Sequence, residues 1–266
     1  MKILLSNDDG IYASGIVLMA NRLAELGHEI SVVAPDCERS GAGHSISTNS
    51  LQLDQGVFPG YLPQVRTFKC NGTPADCVML GVEIATPDAE LVLAGINSGP
   101  NLGCDVFYSG TVAAAREGYF ENRRSVAVSL ALDFSDKTGG KQHYETAVYA
   151  VEQIVANLEL FFGENTTAAL LNMNIPNRPI SELEGFKMTF AGRRRYRNRI
   201  QSCKAPRDGL CYWVRGYPAD DEELEGSDVK AVNDGFVALT FLRHDTTDYD
   251  LNASVDSHLL NKIKLK

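Results

Sequence analysis

Long hydrophobic runs are missing from this sequence. No stretch approaches the ~18 apolar residues of a membrane-spanning helix, which excludes a helical membrane protein. The opening MKILLSNDDG has no signal-peptide pattern, because its apolar run is only Ile3 to Leu5 and acids follow at once. The six cysteines form no Cys-x-x-Cys pair and have no histidine partner at zinc spacing, so they predict free thiols and a cytoplasmic chain. A basic excess is missing too. With 25 Lys+Arg against 34 Asp+Glu the formal net charge is -9, which argues against coating nucleic acid or an anionic membrane. A phosphate must therefore be met locally, by a metal, a helix N-terminus or a few placed arginines. Finally, no Gly-x-Gly-x-x-Gly follows the first strand, which speaks against a dinucleotide-binding oxidoreductase.

What is present is an alternating pattern. The 266 residues, 44% of them hydrophobic, can build a sizeable core at the upper end of what one domain holds. Lys2 to Asn7 reads as a strand, Ser14 to Leu26 as a helix capped by Ser14 and closed by Gly27, and Glu29 to Ala34 as a second strand. Strand patterns recur at Glu90 to Ile96, Ser125 to Leu132 and Ala168 to Ile175, with helices at Thr111 to Tyr119 and Tyr144 to Phe162 between them. This predicts an α/β fold with a doubly wound, mostly parallel, Rossmann-like sheet over residues 1–180. After Pro176, Gly185 to Phe190, Cys211 to Tyr217 and Gly235 to Leu242 read as strands without a helical crossover. They predict a C-terminal antiparallel β extension over 181–266, used in oligomerisation and closed by a helix at Val255 to Ile263, continuous with the core.

Four loops carry chemistry. Asp8 and Asp9 end the first strand, where ligands of open α/β sheets bind, and adjacent carboxylates there repel unless a cation lies between them. The bland alternative is an acidic turn. Arg39 to Ser45 (RSGAGHS) brings glycine-spaced amides that approach an anion, or is a plain surface loop, and His44 in it is a catalytic acid or an ordinary polar residue. Gly95 to Gly103 offers amide oxygens at the sheet edge, or simply turns. Tyr108 to Ala115 leads a hydroxyl-rich turn into a helix, the form of an anion site at a helix N-terminus or of simple N-capping.

In this order the loops resemble the SurE survival-protein family of metal-dependent nucleotidases. The resemblance covers nearly the whole chain. It rests on Ile3 to Gly10 (ILLSNDDG), Ala34 to Ser45 (APDCERSGAGHS), Asn71 to Val78 (NGTPADCV) and Gly95 to Gly110, with Gly192 to Tyr196 and Ser227 to Phe236 later. It implies metal ligation by Asp8, Asp9, Ser40 and Asn97, with Asp8 and Asp9 also catalytic. It implies substrate binding by Ser109, Gly110 and Thr111 at the phosphate and by Asn7, Gly41, Asn101 and Asp105 around it. The expected activity is hydrolysis of nucleoside 5′- and 3′-monophosphates with one divalent ion, Mg²⁺ or Mn²⁺, in a homodimer or homotetramer with exchanged C-terminal arms. Arg243-His244 stand where the family has a Gln-like residue. An all-oxygen donor set independently suits Mg²⁺, Mn²⁺ or Ca²⁺ over zinc. Two other readings compete: a short-chain polyphosphate hydrolase, and a nucleotide-binding module without turnover. The adjacent acids speak against a phosphatase with a nucleophilic Asp-x-Asp.

Overall fold

The computed structural model describes residues 1–132, 140–164, 166–194, 196–197, 200–204, 209–214, 217–218 and 224–255. The chain opens with β1 (Lys2–Ser6), α1 (Ser14–Glu25) and β2 (Glu29–Pro35). It continues through β3 (Leu53–Gly56), β4 (Arg66–Cys70) and α2 (Pro74–Leu80) to β5 (Leu91–Ser98). Then come α3 (Gly110–Phe120), β6 (Arg124–Ala131), α4 (Tyr144–Ala156), α5 (Leu158–Phe162) and β7 (Ala169–Pro176). The last part holds β8 (Gly185–Met188), β9 (Tyr196–Arg197), β10 (Ile200–Lys204), β11 (Leu210–Val214), β12 (Tyr217–Pro218), α6 (Asp228–Asn233), β13 (Phe236–Leu242) and α7 (Tyr249–Ser254).

Nine strands form one sheet in the order β3-β4-β2-β1-β5-β6-β7-β13-β8. The six from β4 to β7 run parallel, while β3 enters antiparallel to β4 and β13 antiparallel to β7. Side chains alternate across a strand, so β1 feeds two cores. Ile3 and Leu5 pack with Ile16, Met19 and Leu23 of α1 and with Val151 and Ile154 of α4. Leu4 points the other way, among Cys77 and Val78 of α2 and Val112 and Ala115 of α3. Both faces are therefore covered, as a parallel sheet requires. From β1 the chain winds outward to β2 on one side and later to β5 on the other. The loops after β1 and β5 part at this reversal and leave a crevice at the carboxyl ends of the strands.

The sequence pattern differs from this fold in four places. β4 and α2 carry no strong apolar period. α2 is instead fixed by a capping box, in which Thr73 Oγ1 accepts from the Asp76 N–H at 3.2 Å and Asp76 Oδ2 accepts from the Thr73 N–H at 2.8 Å. The helical stretch expected from Tyr144 to Phe162 breaks at Asn157 into α4 and α5. Ser14 is the first helical residue of α1 and not its cap; the cap position is Ala13, which has no side-chain bond. After Pro176 a helix does intervene. α6 precedes β13, which lies antiparallel to β7 and parallel to β8 inside the main sheet. The antiparallel extension is the β10–β11 hairpin and the short β9–β12 pair. A helix expected from Val255 to Ile263 falls almost wholly outside the described residues, and α7 ends before it.

Candidate active site

The turn after β1 is built by Asn7. Its side chain is fully buried, donates to the Gly10 carbonyl at 2.9 Å and accepts from the Gly10 N–H at 3.2 Å. Gly10 has φ +94°, which only glycine adopts without strain, and the tight turn holds Asp8 and Asp9 at the crevice. Both carboxylates line a cavity of about 540 Å³ together with Ser40, Gly41, Asn97, Asn101, Asp105 and Ser109. Glu38, Ser98, Gly99, Pro100, Tyr108 and Tyr196 complete its wall. Of the residues expected to bind substrate, Asn7, Gly110 and Thr111 lie behind this wall.

Their positions show what they do there. Thr111 is fully buried and its hydroxyl donates to Asp8 Oδ1, which fixes the rotation of that carboxylate. Gly110 opens α3 directly against Asp8: a Cβ at this position would sit 2.8 Å from Asp8 Cβ. Ser109 caps the helix, its Oγ accepting from the Val112 N–H at 3.0 Å, and its own hydroxyl hydrogen stays available. The first N–H groups of α3 have no intrahelical acceptor and carry the positive end of the helix dipole.

Burial, and after it the neighbouring Asp8 charge, push Asp9 up to about 6, against the opposing Ser98 N–H at 3.2 Å. Burial also raises Asp8, against the hydrogen bond from Thr111. Two adjacent carboxylates, both harder to ionise than usual, make a site that gains from a cation. Ser40 Oγ lies within 2.7 Å of Glu38 Oε1, and Asn97 ties its amide nitrogen to the Gly99 carbonyl at 2.9 Å, which leaves its side-chain oxygen as a donor to a metal. Among the described residues no three His, Cys, Asp or Glu side chains cluster as a metal site. The donor set is two carboxylates plus neutral oxygens, which fits a hard divalent ion that keeps several waters.

Asn101 lines the cavity, but its side chain donates to Ser129 Oγ at 2.8 Å. Asn172 and Asn174 of β7 grip its backbone at 2.8–3.1 Å. Asp105 receives Arg194 at 2.9 Å and the Tyr196 hydroxyl at 2.5 Å, so it positions the aromatic wall. His44 is not in this cavity. Its Nε2 lies 2.7 Å from Glu117 Oε2 and its ring stacks on Phe120, on the other side of the 3-10 turn Gly103–Phe107. Sequence reasoning missed Glu38, Ser98 and Tyr196 as wall residues. Only their places beside Ser40, after Asn97 and in the Gly192 to Tyr196 run hinted at them.

The family model for "Survival protein SurE" matches residues 3–198. This chain belongs to the SurE family. The 5'-nucleotidase SurE of Vibrio cholerae serotype O1 (strain ATCC 39315) is 41% identical over 266 residues, covering 99% of each chain. That of Synechococcus sp. (strain JA-3-3Ab) is 40% identical over 251 residues, 94% of each chain. The crystal structure of the SurE protein from Aquifex aeolicus superposes with a TM-score of 0.77 at 35% identity, over 98% of this chain and all of the other. The SurE family model spans all four loops, and the Aquifex structure shares the α/β sheet that positions them. Among the described residues no helix is long and apolar enough to cross a membrane.

Proposed function

We propose that this chain is a 5′-nucleotidase: it hydrolyses nucleoside 5′-monophosphates, and 3′-monophosphates as well, to nucleoside and phosphate. The observation that carries the reading is the pair Asp8–Asp9, raised in pKa and set against the N-terminus of α3 in one cavity. Its support from outside the chain is the near-full-length identity to relatives named 5'-nucleotidase SurE. Asp8, Asp9, Ser40 and Asn97 would hold one divalent ion, Mg²⁺ or Mn²⁺. When bound, that ion supplies neutralisation of charge on the phosphoryl oxygens. Ser109, which lines the cavity at the positive end of the α3 dipole, receives the other phosphate oxygens, while Gly110 and Thr111 hold Asp8 from behind the wall. Asp9 orients the attacking water and takes its proton. Phosphoryl transfer asks mostly for such positioning and charge stabilisation. Tyr108 and Tyr196, both on the cavity wall, flank the space left for the nucleoside. Gly41 lets the second loop approach the phosphate. The protein acts in the cytoplasm as a homodimer or homotetramer.

Phosphate release from a panel of 5′- and 3′-monophosphates, with Mn²⁺, Mg²⁺ or EDTA, tests the reading. Release that needs the ion and collapses in Asp9→Asn is expected. Binding of AMP with no release under any metal would leave a binding module instead. A phosphoryl-aspartate trapped by rapid quench would replace attack by water with attack by the carboxylate.

A further inference from the structure

On the far side of the Gly103–Phe107 turn lies a second cavity, of about 650 Å³. It is as large as sites that enclose nucleotide-sized ligands. Arg116 of α3, Arg193 of the arm and Arg243 just after β13 converge on it, joined by His44 and His244, with Phe107 and Phe120 on its rim. Among the described residues no acidic side chain lines it, in a chain whose net charge is -9. Glu117 is bound to His44 at 2.7 Å, the Asp245 carboxylate takes hydrogen bonds from Thr247 and Tyr249, and His244 Nδ1 lies 3.2 Å from the Tyr119 hydroxyl. Arg116 is half-buried. Burial alone acts on its guanidinium and lowers its pKa, and among the described residues neither it, Arg193 nor Arg243 has a hydrogen bond or ion pair. A desolvated guanidinium without an acceptor is costly, and three on one cavity repel each other. An anion relieves both.

We propose that this cavity is a second anion site, separate from the hydrolytic one, for a ligand carrying two or more linked phosphates. Three guanidiniums from three different elements match a chain of phosphates better than a single phosphate group, and arginine forks pair with phosphate oxygens two at a time. The exposed ring of Phe107 offers a stacking face to a nucleobase attached to that chain. The two cavities share a wall. Asp105 and Tyr108 face the first, Cys104 and Phe107 the second, and the loop of Ser40 and Gly41 is tied to this wall by the Gly43 N–H on the Tyr108 carbonyl at 3.0 Å. The inference does not depend on the hydrolytic reading, since it concerns different side chains.

Titration calorimetry of ATP and of inorganic tripolyphosphate against the full-length protein, in EDTA, tests it. Wild type and Asp9→Asn are expected to bind alike, whereas Arg116→Met and Arg243→Gln each weaken binding at least about tenfold. Turnover of AMP with metal, and without added polyphosphate, should stay at the wild-type rate in both arginine variants, showing an intact fold. If Arg116→Met fails to fold, the exposed Arg243→Gln carries the test. ATP binding tighter than tripolyphosphate supports a nucleotide as occupant; equal binding supports recognition of the phosphate chain alone. The proposal is overturned by no binding in EDTA, by binding lost in Asp9→Asn, or by binding that survives both arginine substitutions. It is also overturned if those substitutions only change the subunit number, which would make the cavity a contact between copies.

Discussion

At the scale of single residues, Asp9 trades stability for function. Its carboxyl titrates near 6 in the folded chain and near 3.8 when unfolded. A raised acid pKa gives stability that is complete below about 3.8 and is lost as pH rises through about 6. The metal-free protein should therefore be weakened at neutral pH by this one group. A shift of about two units is about 3 kcal/mol at most, and partial solvent access reduces it to roughly 1–2 kcal/mol. Asp9→Asn should raise the melting temperature in EDTA at pH 7.5, show no gain at pH 3.5, and lose nearly all phosphatase activity. Equal melting of the two proteins at both pH values would mean that no such penalty exists. Thr111 acts one step back. Thr111→Val removes the hydroxyl on Asp8 while keeping the volume, and should weaken metal binding by roughly tenfold to a hundredfold, the usual effect of losing a ligand's supporting bond. Metal titration followed by activity or calorimetry checks this. The sequence made the loops that bring Asp8, Asp9, Ser40 and Asn97 to one cavity readable, because strand ends and glycine turns declare where an α/β crevice lies. It could not separate residues that face the cavity from those that brace it. Thr111 and Asn7 have the residue types of ligands, and only the turn geometry spends their polar atoms inward.

At the scale of elements, α3 connects the phosphate end of the site to the rest of the molecule. Its close seat on Asp8 depends on the absence of a side chain at Gly110. Gly110→Ala must push the helix or Asp8 aside by several tenths of an ångström, and kcat/KM should fall about a hundredfold while the fold survives. Steady-state kinetics beside a thermal melt separates the two effects. α6 has a different task. The fully buried Asp228 accepts from the Gly103 N–H at 2.8 Å and the Gly192 N–H at 2.8 Å, and so clamps the cavity turn to the base of the arm. Asp228→Ala leaves those N–H groups buried and unpaired, and should cost about 2–4 kcal/mol in denaturant unfolding. An unchanged midpoint would show that the turn finds other partners. The inner strands β1, β5, β6 and β7 were legible because strands buried on both faces are nearly continuous apolar runs. β4 was not, since Arg66 and Lys69 break its apolar run. The break at Asn157 was hidden because apolar residues continue on both sides of it, and α6 because six residues are too few to show a period.

At the scale of the whole molecule, one sheet and one crevice account for most of the chain, and the β10–β11 hairpin does not join them. Two-stranded hairpins alone in water are marginal. This one leaves Tyr212 60% and Trp213 61% exposed, on opposite faces of β11, with Leu210 and Val214 also bare. Apolar rings on both faces of such a ribbon are the kind of surface a subunit contact covers, and the prediction is that a second copy of the chain covers them. Charge on the ribbon should then break the assembly without touching the crevice, which is built from β1, β5 and the start of α3. Tyr212→Glu with Trp213→Glu should shift the particle to a monomer in light scattering behind size exclusion, with the far-ultraviolet spectrum kept. A variant that stays oligomeric would place the subunit contact elsewhere. A monomer that keeps its metal-dependent activity would show that the site is complete within one chain, and one that loses it would mean that the partner's arm helps to close the cavity beside Tyr196.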